Sequence, residues 1–146
     1  MEKLQLAIAA DHAGFELKEE ITKYLQKQGI KVQDFGTNSP AAVDYADFAH
    51  PLADAVERGI YSFGISICGS GNGINMTVNK HPGIRSAICW NVEIARLARS
   101  HNDANICALP ARFISKDEAF LIVDMFLRTG FDGGRHVERI NKIPLK

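Results

Sequence analysis

Residues 63–74 have the sequence FGISICGSGNGI, an apolar run followed at once by alternating glycines. The first half, Phe63 to Cys68, is mostly apolar, as expected of a strand in a parallel sheet that is covered on both faces. The glycines at 69, 71 and 73 predict a tight turn, and a short helix is expected from Gly73 to Asn79. A strand, a turn and a helix in this order are typical of α/β proteins.

The same alternation of strands and helices extends in both directions. Further strands are predicted at 4–10, 31–35, 84–88 and 105–109, and further helices at 13–28, 44–58, 92–100 and from Ser115 onward. Ser115 and Glu118 have the spacing of a capping box. Pro51 should either kink its helix or mark that helix's true first turn. The pattern predicts one three-layer α/β/α domain of the Rossmann-like class, with a five-stranded parallel sheet.

Length and charge limit the possible functions. The chain has 146 residues, with 17 basic and 17 acidic side chains, and its formal net charge is zero. A single domain over residues 1–146 is expected. Zero net charge argues against general binding to nucleic acid or to an anionic membrane, although it allows a local basic pocket. No signal peptide or membrane span is expected, which favours a cytoplasmic location.

The three cysteines differ in their surroundings. They are predicted to be free thiols, and their spacing matches no zinc motif, so no metal site is expected. Cys89 and Cys107 lie in or just after apolar strands and are interpreted as core residues. Cys68 lies at the mouth of the glycine turn, where backbone N–H groups favour the thiolate. It is therefore a candidate nucleophile or a candidate base for a C–H proton, and the alternative is a small core residue.

The glycine turn itself is a candidate anion site. Alternating glycines allow backbone N–H groups to approach a phosphate, or an oxygen that becomes negative during a reaction. The alternative is a turn that merely requires glycine, and the pattern is neither the dinucleotide fingerprint nor a P-loop. Because parallel strands end at the same edge of a sheet, Asp11 and His12, which follow the first strand, are expected nearby. They are suited to binding an anion or orienting a hydroxyl group.

Two more segments carry candidate residues. His101 lies between a helix and the fifth strand; it can shuttle protons at neutral pH, or simply cap the helix. Arg135 and Arg139 are four residues apart and would share one face of a helix, where two guanidinium groups suit a phosphate. A solvated basic helix end is the alternative. The basic C-terminal segment 131–146 is expected to contribute to the phosphate site or to a dimer interface.

Taken in order, these motifs resemble the ribose-5-phosphate isomerase B family, within the wider ribose/galactose isomerase group. The motifs are DHAGF at 11–15, DY at 44–45, CGSGNGI at 68–74, NK at 79–80, GIR at 83–85, HNDAN at 101–105 and GGRH at 133–136 with Arg139. The resemblance covers essentially the whole chain. It implies an aldose–ketose isomerase without a cofactor that interconverts ribose 5-phosphate and ribulose 5-phosphate in the non-oxidative pentose phosphate pathway.

The resemblance also implies roles for individual residues. Cys68 corresponds to the base that moves a proton between C1 and C2 through a cis-enediolate, and the glycine turn to the donors that stabilise its oxygen. His101 corresponds to the residue that opens the furanose ring, with Asp11 positioning the ring oxygens. Ser70, also counted as catalytic, keeps the hydroxyl that many members carry as threonine. The substrate contacts would be Asp11, His12, Tyr45, Gly69, Ser70, Gly71, Asn72, Gly73, Asn102, Arg112, Arg135 and Arg139, with His12, Arg135 and Arg139 on the phosphate.

One branch of the group uses a glutamate just after the glycine turn as its base. Ile74 occupies that position here and the cysteine is present, so the cysteine mechanism is expected. Family members form dimers, often paired into tetramers, with sites at subunit interfaces. The resemblance therefore implies a homodimer or homotetramer in which His101 and Arg112 reach the neighbouring subunit's site. The alternatives are an allose-6-phosphate or galactose-6-phosphate isomerase, and a non-catalytic sugar-phosphate-binding subunit.

Overall fold

A computed structural model describes residues 4–145. Its elements in chain order are β1 (Gln5–Ala10), α1 (Phe15–Lys27), β2 (Lys31–Asp34), α2 (Tyr45–Glu57), β3 (Phe63–Cys68), α3 (Asn72–Val78), β4 (Ser86–Ile88), α4 (Val92–Ser100), β5 (Ile106–Pro110), α5 (Lys116–Arg128) and α6 (Arg135–Asn141). The five strands form one sheet, and each pair of neighbouring strands is parallel. The predicted α/β class with a five-stranded parallel sheet is confirmed.

The strand order places two of the predicted motifs next to each other. The order is β2-β1-β3-β5-β4, so the chain leaves β1 toward one side of the sheet and leaves β3 toward the other. A reversal of this kind opens a crevice at the carboxyl ends of the two central strands. Ala10 of β1 is opposite Ile67 of β3. The residues that follow these strands, including Asp11 and Gly69, therefore emerge side by side.

Each face of the sheet is covered by helices over its own apolar core. Leu6 and Ile8 of β1 pack into the core shared with α1, α4 and α5, whereas Ala7 and Ala9 pack into the core shared with α2 and α3. Successive residues of a strand point to opposite faces. Burial of both sets explains why the strands are apolar throughout, and the three-layer arrangement is confirmed.

Several predicted boundaries are confirmed and others are wrong. β3 and α4 have the predicted ends, and Ser115 caps α5 in a reciprocal capping box with Glu118. Pro51 lies inside α2, in its second turn, which excludes one of the two predicted alternatives, that it marks the first turn.

The predicted start of β4 at Ile84 was also wrong, because the strand begins at Ser86. The N–H of Arg85 donates to the Asn105 side chain at 2.9 Å instead of to a neighbouring strand. β5 correspondingly starts at Ile106. The C-terminal segment contains α6, which was not predicted as an element. Among residues 4–145, no helix combines the length and the apolar character needed to cross a membrane.

Candidate active site

A cleft of about 520 Å³ lies at the carboxyl ends of β1 and β3. This volume is in the usual range for small-molecule sites. The lining residues are Asp11, His12, Ala13, Val43, Asp44, Tyr45, Cys68, Gly69, Ser70, Gly73, Arg112 and Phe113. The cleft thus combines residues predicted from three separate segments of sequence.

Asp11 is fixed at the edge of the cleft by the chain that follows it. Its Oδ1 accepts hydrogen bonds from the N–H groups of Ala13 at 2.9 Å and Gly14 at 3.1 Å. Gly14 is required here because a Cβ would lie 2.8 Å from the carbonyl oxygen of Ile67. The close approach of the two backbones holds the Asp11 turn against the end of β3.

His12 is oriented by the backbone of Val43. The Val43 N–H donates to Nδ1 of His12 at 3.1 Å, and the Val43 carbonyl oxygen lies 3.2 Å from the same nitrogen. A backbone N–H can only donate, so neutral His12 accepts at Nδ1 and carries its proton on Nε2. In the cationic form, Nδ1 donates to the carbonyl instead. In both forms Nε2–H is a donor, which suits an anion.

Cys68 ends β3 and lines the cleft, although its side chain is largely buried at 4% exposure. The prediction that Cys89 and Cys107 are core residues is confirmed, since both are fully buried and free, and neither lines the cleft. Cys68 is therefore the cysteine in a position to meet a ligand. A thiolate there can accept a proton from carbon.

The glycine turn after Cys68 depends on backbone conformations that only glycine adopts easily. Gly71 has φ of +78°, in the left-handed region. Ser70 Oγ accepts the N–H of Asn72 at 3.2 Å, which fixes the turn from within. Of the predicted turn residues, Gly69, Ser70 and Gly73 line the cleft, whereas Gly71 and Asn72 do not.

Tyr45 and Arg112 cover this turn from two sides. A Cβ placed on Gly73 would lie 2.4 Å from Cζ of Tyr45, so the tyrosine ring rests directly on the turn. A Cβ on Gly69 would lie 3.0 Å from an Arg112 guanidinium nitrogen. Arg112 thus brings a positive charge to the cleft of its own chain, and its reach into a neighbouring subunit's site stays a prediction.

The remaining predicted residues form a second cluster, which is away from the cleft. The ring of His101 stacks on that of His136, with centroids 4.3 Å apart and planes 16° from parallel. Arg135 and Arg139 follow on α6, one turn apart and exposed, as the spacing predicted. Asn102, also exposed, follows His101 directly. None of these residues lines the cleft around Cys68.

Topology explains the separation of the two clusters. α4 leaves the carboxyl end of β4 and returns toward the amino end of β5, and His101 is its C-cap residue. The five residues of β5 span roughly 16 Å at about 3.3 Å per residue. His101 therefore lies toward the amino-end edge of the sheet, whereas Cys68 lies at the carboxyl-end edge.

The loop that carries His101 is held by Arg99. Its guanidinium donates to the Asp103 carboxylate at 2.9 Å and to the Ala104 carbonyl at 2.7 Å. Asp103 itself has φ of +47°, an uncommon conformation for a residue with a side chain. These bonds fix the end of α4 and so the position of the His101 ring.

The contact of His136 with His101 was not predicted from the sequence. His136 is 9% exposed, and burial, together with the positive charges of His101, Arg135 and Arg139, lowers its pKa. Asp132 acts in the opposite direction and raises that pKa. The burial of His136 depends on how α6 packs against the end of α4, so the sequence carries no local signal for this contact.

His101, Asp132 and His136 offer three metal-ligand atoms within 4.8 Å of one another. The two rings are stacked, however, so the lone pairs in their planes run side by side. A shared zinc ion requires nitrogen lone pairs that converge from about 2.0–2.1 Å. The observed arrangement therefore fits an interacting histidine pair better than a ready metal site.

Comparisons with known proteins agree with these features. The family model for Ribose/Galactose Isomerase matches residues 6–143. The ribose-5-phosphate isomerase B of Escherichia coli K12 is 41% identical over 139 residues, covering 95% of this chain and 93% of that protein. This chain belongs to the ribose/galactose isomerase family.

Solved structures of the same family superimpose on nearly the whole chain. A ribose 5-phosphate isomerase from Thermotoga maritima matches with a TM-score of 0.96 and 50% identity, covering 98% of this chain and 99% of that one. Ribose-5-phosphate isomerase B from Mycoplasma genitalium, solved with bound ribulose-5-phosphate, matches with a TM-score of 0.93 and 41% identity. That match covers 98% of this chain and 95% of the other.

Proposed function

We propose that this protein interconverts ribose 5-phosphate and ribulose 5-phosphate, with Cys68 as the base that moves the proton. The observation that carries the proposal is the Cys68 thiol at the end of β3, which lines the cleft together with the glycine turn. Support also comes from relatives that are ribose-5-phosphate isomerases and from the relative that binds ribulose-5-phosphate.

The proposed step needs one base and one site for negative charge. In the open-chain aldose, the Cys68 thiolate takes the proton from C2, and the electrons of that bond form the C1–C2 double bond. The carbonyl oxygen on C1 becomes the negative oxygen of a cis-enediolate. The protonated thiol then returns the proton to C1, and the hydroxyl proton on O2 moves to O1, which leaves the ketone at C2.

The turn from Gly69 to Gly73 is assigned to the enediolate oxygen. Backbone N–H groups that are fixed before the reaction stabilise developing charge without reorganisation, and removing one such donor costs about 10²–10³ in rate. Ser70 supports the turn through its bond with the Asn72 N–H. No step here requires a metal or an organic cofactor.

The phosphate is assigned to cationic and N–H donors. His12 and Arg112 line the cleft itself. Arg135 and Arg139 lie in the second cluster, with His101 and Asn102, and are assigned to the phosphate end of the substrate in a neighbouring subunit's cleft. A guanidinium group binds phosphate oxygens in pairs, which explains the choice of arginine over lysine.

A second copy of the chain is proposed to bring the two clusters together. The argument is topological, because the sheet separates His101 from Cys68 within one chain. Exposed apolar side chains support such an interface: Phe113, which lines the cleft, is 75% exposed, and Trp90 and Met76 are 56% and 66% exposed. We propose a homodimer, or a tetramer of two dimers, in which His101 opens the furanose ring at the partner's cleft.

A cytoplasmic location is proposed as well. The three free, buried cysteines are consistent with a reducing compartment.

The proposal is tested by steady-state kinetics on the purified chain alone. Turnover of ribose 5-phosphate should exceed that of allose 6-phosphate and galactose 6-phosphate in kcat/KM. A preference for a six-carbon substrate would favour a phosphohexose isomerase. Absence of turnover with all three sugars would instead favour a sugar-phosphate-binding subunit.

A further inference from the structure

We infer that Asp132 is a positioning residue for ring opening, acting through the stacked histidines so that His101 can carry a proton. The inference rests on the proposed function, because it assumes that His101 opens the furanose ring.

The backbone holds Asp132 beside the histidine pair. Its N–H donates to the carbonyl oxygen of Ser100 at 2.9 Å, which attaches the loop before α6 to the end of α4. His101 follows Ser100 directly in the chain. A carboxylate oxygen of Asp132 lies within 4.8 Å of a ring nitrogen of both His101 and His136. The carboxylate therefore faces the pair from a fixed backbone position.

The stacked pair is suited to hold one positive charge and not two. Two cationic rings with centroids 4.3 Å apart repel each other strongly. His136 is the buried member, and its pKa is lowered first by desolvation and then by nearby positive charges. His101 is the more exposed ring, so it is the member of the pair that can meet a substrate.

Among the charged groups around the histidine pair, Asp132 is the one that offsets the nearby positive charges. α6 contributes Arg135 and Arg139, both of which disfavour a further positive charge at His136. From α4, Glu93 interacts electrostatically with His101, but it also pairs with Arg96 at 2.5 Å. Arg96 interacts with Asp132 too. Asp132 is the acidic group that acts on His136 directly, and it raises the pKa of that residue.

The chemistry of ring opening needs such a partner. One ring nitrogen of His101 takes the hydroxyl proton from O1, the C1–O4 bond breaks, and the same proton goes to O4 as the C1–O1 double bond forms. The imidazole is cationic in between. A carboxylate that faces this cation stabilises it, as the aspartate does for the histidine of a serine protease triad.

The test separates ring opening from proton transfer at carbon. Ribulose 5-phosphate has its O5 esterified, so it cannot close a five-membered ring and reaches Cys68 as an open chain. Exchange of its C1 proton with D₂O, followed by NMR, therefore reports on Cys68 and the glycine turn alone. Conversion of ribose 5-phosphate reports on ring opening as well.

In the full-length chain, we expect Asp132→Asn to slow conversion of ribose 5-phosphate by roughly tenfold, about 1.4 kcal/mol, while the C1 exchange stays within about twofold. The NMR-titrated pKa of His136 should fall below its wild-type value, because the carboxylate that raised it is gone. Asp132→Glu should restore most of the conversion rate. Asp54→Asn, the same change at an exposed site on α2, serves as the control and should alter neither rate.

Three results would overturn the inference. One is an equal loss of conversion and exchange in Asp132→Asn, which would indicate a general structural effect. The second is an unchanged conversion rate, and the third is an unchanged pKa of His136. If the wild-type chain itself shows neither conversion nor exchange, the proposed function fails first, and this outcome is distinct from the other three.

Discussion

Gly73→Ala should lower activity without lowering stability, because the new methyl group meets the ring of Tyr45. The added Cβ would lie 2.4 Å from Cζ of Tyr45, whereas ordinary contact begins at 3.4 Å, so the ring must move by 3.4 − 2.4 = 1.0 Å. Tyr45 is 40% exposed and is free to move outward. The clash is therefore relieved by displacing a residue that lines the cleft.

The size of the effect follows from this displacement. A 1 Å misplacement of a positioning residue can cost about 10²-fold in rate. We therefore expect kcat/KM for ribose 5-phosphate to fall roughly ten- to a hundredfold, or about 1.4–2.7 kcal/mol. Gly73 is inside α3, where alanine is preferred over glycine by about 0.5–1 kcal/mol. The melting temperature should consequently stay level or rise by a few degrees, at about 2–4 °C per kcal/mol.

The assay compares steady-state kinetics and thermal melting of matched variants. Gly130→Ala is the control, because a Cβ there has no heavy atom within 4 Å. In a Tyr45→Ala background, Gly73→Ala should have little further effect, since the ring it would displace is absent. If Gly73→Ala has the kcat/KM of Gly130→Ala, the position of Tyr45 does not govern turnover and the reasoning is refuted.

Three further predictions concern the second cluster and the fold. Arg139→Ala should raise KM with little change in kcat, because phosphate is bound equally in the ground and transition states; a change in kcat alone would contradict this assignment. Inactive Cys68→Ala and His101→Ala chains, mixed and refolded together, should regain activity, because mixed dimers contain one site with both residues intact. A mixture that stays inactive would argue against shared sites. Ser115→Ala should lower the free energy of unfolding by about 1 kcal/mol, because the cap of α5 is lost. Denaturant unfolding measures this loss, and the isomerase kinetics should stay unchanged.

The sequence predicted those parts of the fold that depend on local signals. β3 has the predicted ends because its apolar run stops at the glycine turn. α4 also has the predicted ends, because Asn91 caps its start. The side chain of Asn91 accepts a hydrogen bond from the Ile94 N–H at 2.8 Å. The beginning of β4 depends on Asn105, which is twenty residues away along the chain. No local pattern near Ile84 indicates that contact.

The site was predictable in part for the same reason. Asp11, His12, Gly69 and Ser70 follow the ends of β1 and β3 in a parallel sheet, so they converge by rule. The contact of His101 with His136 depends on how α6 packs against the end of α4, and the sequence signals neither this packing nor the strand order. Arg112 follows β5, which lies beside β3 in the sheet. That placement brings Arg112 to the cleft of its own chain, and it depends on the strand order, which was not predicted.

The most direct test of the role of Cys68 is proton exchange into ribulose 5-phosphate in D₂O, measured by NMR for the wild type and for Cys68→Ala. The wild-type chain should exchange the C1 proton, and Cys68→Ala should lose that exchange while still binding the sugar phosphate, as judged by calorimetry. Exchange at the wild-type rate in Cys68→Ala would show that another group removes the proton, and would contradict the assignment of the sulfur as the base.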